Sequence, residues 1–285
     1  MASLGIGKVI TPMNPRLRLA LGRHLVLILG AAFVVIPFLW MFTTSLQTRA
    51  ETYTNTSILP TSWHWENYVH AWEAAPFGQY YLNSIIMAVG IVSGHLVLDA
   101  LAAYAFARLD FPFKNAIFMI LLAALMIPMF VTIIPAYAIV ADLGWIDTYS
   151  GLIVPRLADV FGIILLRQYF ASIPMELEEA ARIDGCSRAG TFFRIIVPLS
   201  TPAFATLAIF SFLFAWNDFL WPLLVTNTDD VRTIQIGLSA FVGRYGTSWN
   251  YLMAGTLTAT IPSIVVFLFF QRALVRGIAS TGLKD

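Results

Sequence analysis

Side chains able to do more than pack are few in this chain, and most of them interrupt apolar sequence. Asp218 stands in one such stretch beside Trp216, Asn217 and Trp221. Indole rings next to hydrogen-bonding groups suit the apolar faces and hydroxyls of a sugar-like molecule, and equally serve as polar contacts between helices. Arg156 and Asp159 lie one helical turn apart, a spacing that predicts an ion pair with a packing role. His95 and Asp99 interrupt a third stretch. Charges inside a bilayer are costly and face a protein interior or a water-filled path. No set combines nucleophile, base and stabiliser, as an enzyme would need. No Gly-rich phosphate cradle ending in Lys-Ser or Lys-Thr occurs, nor any His-Glu-x-x-His pattern. A single cysteine, Cys186, excludes an internal disulfide and a cysteine-cluster metal site.

Residues 172–200, SIPMELEEAARIDGCSRAGTFFRIIVPLS, predict a different use, mechanical docking. Pro174 suits a first helical turn, and Glu176, Glu178 and Glu179 follow near the positive end of that helix dipole. Leu177, Ala180, Ala181 and Asp184 recur at helical spacing and predict one small-residue face, open to close approach by another surface. Gly185 predicts a left-handed cap, and Ser187 starts a second helix running through Phe192 and Phe193 to Pro198. The product is a short helix–glycine–helix hairpin.

The elements that must hold these groups are apolar. Hydrophobic residues make up 59% of 285 positions and charged residues 12%, with a mean hydropathy of +0.77. An average soluble domain is roughly a quarter charged, so lipid is the solvent for much of this chain. The 17 basic and 16 acidic residues leave +1, too neutral for a nucleic-acid partner. Apolar runs predict an all-α integral membrane protein with six spans, near 24–46, 82–105, 115–140, 150–170, 200–226 and 251–274. Residues 1–23 form an amino-terminal segment, 24–276 the membrane domain and 277–285 a tail. The first run, about 20 residues from Leu25 to Ser45 with no small-residue cleavage pattern ending it, reads as a retained first membrane helix rather than a signal peptide. Pro128, Pro135, Pro155 and Pro262 predict interruptions at membrane depth. Placing both termini in the cytoplasm puts Lys8, Arg16, Arg18, Arg23, Arg108, Lys114, Arg167, Arg182, Arg188, Arg194, Arg272, Arg276 and Lys284 inside. Only Arg49, Arg156, Arg232 and Arg244 then lie outside, a clear positive-inside bias. Trp63, Trp65, Tyr68, Trp72, Tyr80 and Tyr81 read as anchors at the outer interface. The 227–250 loop, with Gly243, Gly246 and Trp249, reads as a docking contact or as solvated loop.

Glu179-Ala180-Ala181, three residues, Gly185, nine residues and Ile195-x-Val197-Pro198 resemble the EAA loop of bacterial ABC-importer permeases, with Val197 where leucine is usual. Trp65-Glu66-Asn67-Tyr68, Asn83-Ser84, the Ala103–Arg108 run, Pro128 with Pro135, and Trp216-Asn217-Asp218 extend the resemblance to the six-helix partner of maltose-type carbohydrate importers. Glycerol-phosphate importers share the pattern. The resemblance implies that Glu179, Ala180, Ala181, Asp184 and Gly185 belong to a coupling helix docking on a cytoplasmic ATPase. It implies a second permease, two ATP-binding subunits that hold ATP and Mg, and an extracytoplasmic solute-binding protein. No cofactor is then bound by this chain, the ATPase activity belongs to a separate subunit, and the location is a prokaryotic plasma (inner) membrane. Trp216, Asn217 and Asp218 would lie beside the path of a sugar or sugar-like solute. The competing readings are a secondary carrier, which would be expected to show internal repeats, and a membrane-embedded enzyme.

Overall fold

The computed structural model describes residues 15–54, 57–243 and 246–282, with side chains described only within 22–272. Lys8, Arg244 and Lys284 lie outside the described residues, as do the side chains of Arg16, Arg18 and Arg276.

The described chain is mostly helical. Helix α1 (Pro15–Ser45) leads to a short α2 (Glu66–Glu73) and then to α3 (Phe77–Arg108). At about 1.5 Å per residue α3 outspans the ~30 Å hydrocarbon layer. Its turn at His95–Asp99 widens to π-helical geometry. There follow α4 (Lys114–Ala124), α5 (Met129–Asp142), α6 (Tyr149–Arg156) and α7 (Val160–Ser172). The predicted hairpin is α8 (Glu176–Ile183) and α9 (Arg188–Leu199). The chain ends with α10 (Thr201–Asn217), α11 (Leu220–Val225), α12 (Ile234–Ser239) and α13 (Trp249–Gly282). A two-stranded antiparallel ribbon, β1 (Val242–Gly243) and β2 (Gly246–Thr247), precedes α13.

Among the described residues three helical stretches are by themselves long and apolar enough to cross a bilayer: Gly22–Ser45, Phe77–Arg108 and Trp249–Arg272. The other predicted spans are broken. The α4–α5 and α6–α7 pairs, over the third and fourth predicted spans, bend by 101° and 42°; α9, which precedes the fifth predicted span, meets α10 at 78°, and the count reaches six if each bent pair is one span. Pro128 has no N–H to donate and holds Ile127 out of helical geometry, which separates α4 from α5. Pro155 sits in the tight last turn of α6. Pro135 and Pro262 do not interrupt: each lies within a continuous helix. The fifth predicted span stops at Asp218, whose backbone is extended, and resumes as α11.

Two buried clusters hold the helices together. One joins Phe77, Met87, Trp216, Trp221, Ile234 and Ala254, where α10 packs against α13 and the first half of α3. The other joins Ala103, Tyr104, Leu166, Phe170, Phe192 and Leu207, where the second half of α3 packs on α7. Large apolar side chains elsewhere point outward: Leu27 is 70% exposed, Phe130 72% and Ile134 73%. In water that pattern would be unfavourable by roughly 25 cal/mol per Å²; against lipid it carries no penalty. The six aromatic anchors divide: Trp63, Trp65 and Trp72 are exposed, but Tyr80 is buried, its hydroxyl donating to Asp229 Oδ1 at 2.6 Å.

Candidate functional site

Helix α8 ends in a full left-handed cap. Gly185 has φ +81°, its N–H donates to Arg182 O at 3.0 Å, and the Cys186 N–H donates to Ala181 O at 2.9 Å. Ser187 Oγ accepts from the Gly190 N–H at 3.1 Å and starts α9, as its type predicts. The hairpin therefore has two fixed ends. Leu177, Ala180, Ile183 and Asp184 are exposed on one side, Ile183 at 87%. Ala181 departs from the predicted docking face: it turns inward with Glu178, three residues before it, and both are buried. Glu179 and Gly185 are exposed, and an atom added at Gly185 would meet nothing within 4 Å in this chain.

Glu178, which sequence reading passed over as one of three dipole glutamates, is the anchor of α8. Its Oε1 lies 2.7 Å from Arg108 Nε, and its Oε2 accepts from the Tyr104 hydroxyl at 3.2 Å. The contact with Arg108 is close but poorly aligned for a hydrogen bond, so charge attraction carries it. Arg108 also donates through Nη2 to Phe170 O at 2.6 Å and to Ile173 O, at the carboxyl end of α7. Tyr104 and Arg108, four apart on α3, were the available signal: that spacing puts both on one helix face.

At the far end of α10 the three candidate path residues separate. Trp216 is buried in the core and donates to Ala259 O at 2.9 Å. Asp218 Oδ2 lies 3.2 Å from Arg156 Nη2, and the Arg156 guanidinium sits over the rings of Phe214 and Trp221. This replaces the predicted Arg156–Asp159 pair: α6 ends at Arg156 and Asp159 lies beyond the bend, its backbone N–H donating to Asp99 Oδ1 at 3.0 Å. Asn217 alone of the three is exposed, though its side chain donates back to Leu213 O at 2.8 Å. His95 bridges Ser211 Oγ at 2.7 Å and Arg156 O at 2.9 Å, which ties α3 to α10 and α6.

The other end of the molecule is laced by polar contacts. Asn83 Nδ2 donates to Asp230 O and Arg232 O, and its Oδ1 accepts from Tyr149 and Gln79. Asn67 donates to Ser45 O and Gln47 O, which fixes α2 on the end of α1. Glu51 accepts from Thr61 and Thr48, hydrogen bonds that hold its carboxyl down at about 2. The Tyr53 hydroxyl reaches Thr247 O on β2.

A bundle of apolar helices with outward-facing greasy surface, several of them broken, and an exposed capped hairpin at one end define a polytopic membrane domain. Residues 99–280 match the family described as binding-protein-dependent transport system inner membrane component. The chain belongs to this family and is an inner-membrane ABC permease. A probable ABC transporter permease protein of Bacillus subtilis, YurM, is 37% identical over 253 residues, covering 88% of this chain and 84% of that one. The sn-glycerol-3-phosphate transport system permease protein UgpE of Escherichia coli is 36% identical over 267 residues, covering 90% and 95%. In fold, the chain is similar to one in the crystal structure of a bacterial ABC transporter involved in the import of the acidic polysaccharide alginate. That match has a TM-score of 0.79 at 23% identity and covers 93% of this chain and all of the other.

Proposed function

We propose that this permease lines half of the translocation path for a sugar or sugar-like solute, with a second permease subunit completing it. Two ATP-binding subunits, holding ATP and Mg, drive it from the cytoplasm, and an extracytoplasmic solute-binding protein delivers the solute. The glycerol-phosphate permeases among its relatives support a small polyhydroxylated solute. Both termini and the α8–α9 hairpin face the cytoplasm. Glu179, Ala180, Asp184 and Gly185 meet the ATPase, and Ala181 seats the hairpin on its own chain. The single observation that carries the coupling role is that capped, exposed hairpin, with Ile183 left 87% exposed.

Gly185→Asp tests it. A left-handed residue with a Cβ costs roughly 1 kcal/mol relative to glycine, and aspartate tolerates the region better than most. Nothing in this chain crowds the site, so any larger effect arises in the partner's cleft. The variant is expected to insert normally and to abolish uptake, with an ATPase that dissociates or ignores the loaded binding protein; Glu179→Lys does the same more weakly. Normal uptake with normally stimulated ATPase in reconstituted Gly185→Asp complex would overturn the assignment.

A further inference from the structure

The contact between Arg108 and Glu178 has more geometry than stability requires. Their side chains are only 8% and 3% exposed. Desolvating two charges offsets most of their attraction, and apolar side chains of similar size serve stability as well or better. What apolar residues cannot reproduce is the connectivity. The planar Arg108 fork reaches Glu178 on α8 and two carbonyls, Phe170 and Ile173, at the end of α7. The Tyr104 hydroxyl holds the other Glu178 oxygen, and its ring packs on Phe192 of α9 with centroids 5.0 Å apart. One residue pair thus ties the hairpin to the ends of α3 and α7.

We infer that Arg108 and Glu178, with Tyr104 as their support, are positioning residues that pass movement of the α8–α9 hairpin into α3 and α7. This rests on the coupling reading above. When the ATPase displaces α8, the joint makes α3 and α7 move with it; without the joint the hairpin moves alone.

The test compares Glu178→Gln, Arg108→Lys and the double variant Arg108→Met/Glu178→Met in the complete transporter reconstituted with loaded binding protein. Gln keeps the shape and loses the charge. Lys keeps the charge and loses the fork. The double variant removes both buried charges, so a merely structural pair would recover fully in it. Expected in all three is uptake per assembled complex lowered about ten-fold or more, the size of an ordinary coupling free energy, with ATPase activity persisting but no longer tracking the binding protein. The double variant is expected to restore the amount of assembled complex without restoring uptake. Uptake per complex near normal in any variant, or failure of all three to assemble, assigns the pair to folding and overturns the inference. Gly185→Asp serves as the control: if it transports normally the coupling reading itself has failed, whereas if it is inactive while Glu178→Gln is normal only the joint has failed.

Discussion

Single residues in this permease are read best by what surrounds them, and two glycines make opposite predictions. Gly162 has no space: an added Cβ would lie 2.2 Å from Asp99 Oδ2 and 3.0 Å from Leu207 Cδ1. Gly162→Ala is expected to destabilise the protein by about 1–3 kcal/mol, as overpacking does, with lower yield and an earlier thermal transition in detergent. Gly185→Ala, where only backbone conformation is at stake, is expected to keep normal yield. An unchanged transition for Gly162→Ala would show that α7 and α3 can separate to admit a methyl group. The pair at Asp218 makes a third prediction. Asp218→Ala strands the Arg156 guanidinium among Phe214 and Trp221, and removing one partner of a buried pair costs roughly 3 kcal/mol. Asp218→Ala is therefore expected to lower the amount of complex, whereas Asn217→Ala is expected to leave the amount normal and alter uptake; equal amounts for both would remove the distinction. The Gly185 cap was legible in sequence because a left-handed turn between two short helices is a local matter. Arg156–Asp218 was not, because a neighbour one turn away looks like the partner until the bend after Arg156 carries Asp159 off.

Elements were legible as far as hydropathy defines them. Apolar runs located the long membrane helices but not the short α2 (Glu66–Glu73) and α12 (Ile234–Ser239), and a run of apolar residues reads the same whether it is straight or bent by 101°. Nor does a proline decide it: Pro128 breaks the chain while Pro262 is absorbed into α13. The Asn83-Ser84 pair belonged to a resemblance without a role, and the structure supplies one. Asn83 is fully buried and ties the 229–232 segment to α3 and Tyr149, while Ser84 Oγ accepts from the Ile234 N–H at 2.8 Å. Asn83→Leu leaves the Asp230 and Arg232 carbonyls and the Tyr149 hydroxyl without this partner, at about 1–3 kcal/mol for each group that water cannot reach. The expected result is a folded, membrane-inserted protein whose 226–234 segment is cleaved faster by external protease. Unchanged cleavage would mean that Tyr80–Asp229 and the Asp147 contacts with the Asn227 and Thr228 N–H groups hold the segment unaided.

At the scale of the whole molecule, the proposed orientation rests on the distribution of charge. The end that carries Arg108, Lys114, the α8–α9 hairpin and its Arg182, Arg188 and Arg194 is the basic end. The opposite end carries Arg49 and Arg232, the latter paired with Asp229 at 3.0 Å, with Trp63 and Trp65 exposed where an interface would seat them. Arg156, counted as external on sequence, is paired with Asp218 within the fold, as Arg108 at the other end is with Glu178, so neither contributes free loop charge. Asymmetry of this kind in short loops orients a chain during insertion. Ser62→Cys and Ala240→Cys, both exposed positions at the acidic and aromatic end, are expected to react with an impermeant thiol reagent applied to intact cells in a Cys186→Ser background. Asp110→Cys, wholly exposed beside Arg108, is expected to react only after the membrane is opened, and so is the native Cys186 in the otherwise unaltered chain. Reaction of Asp110→Cys or Cys186 from outside would invert the molecule and remove the hairpin from any cytoplasmic ATPase, and the coupling proposal would fall with the topology.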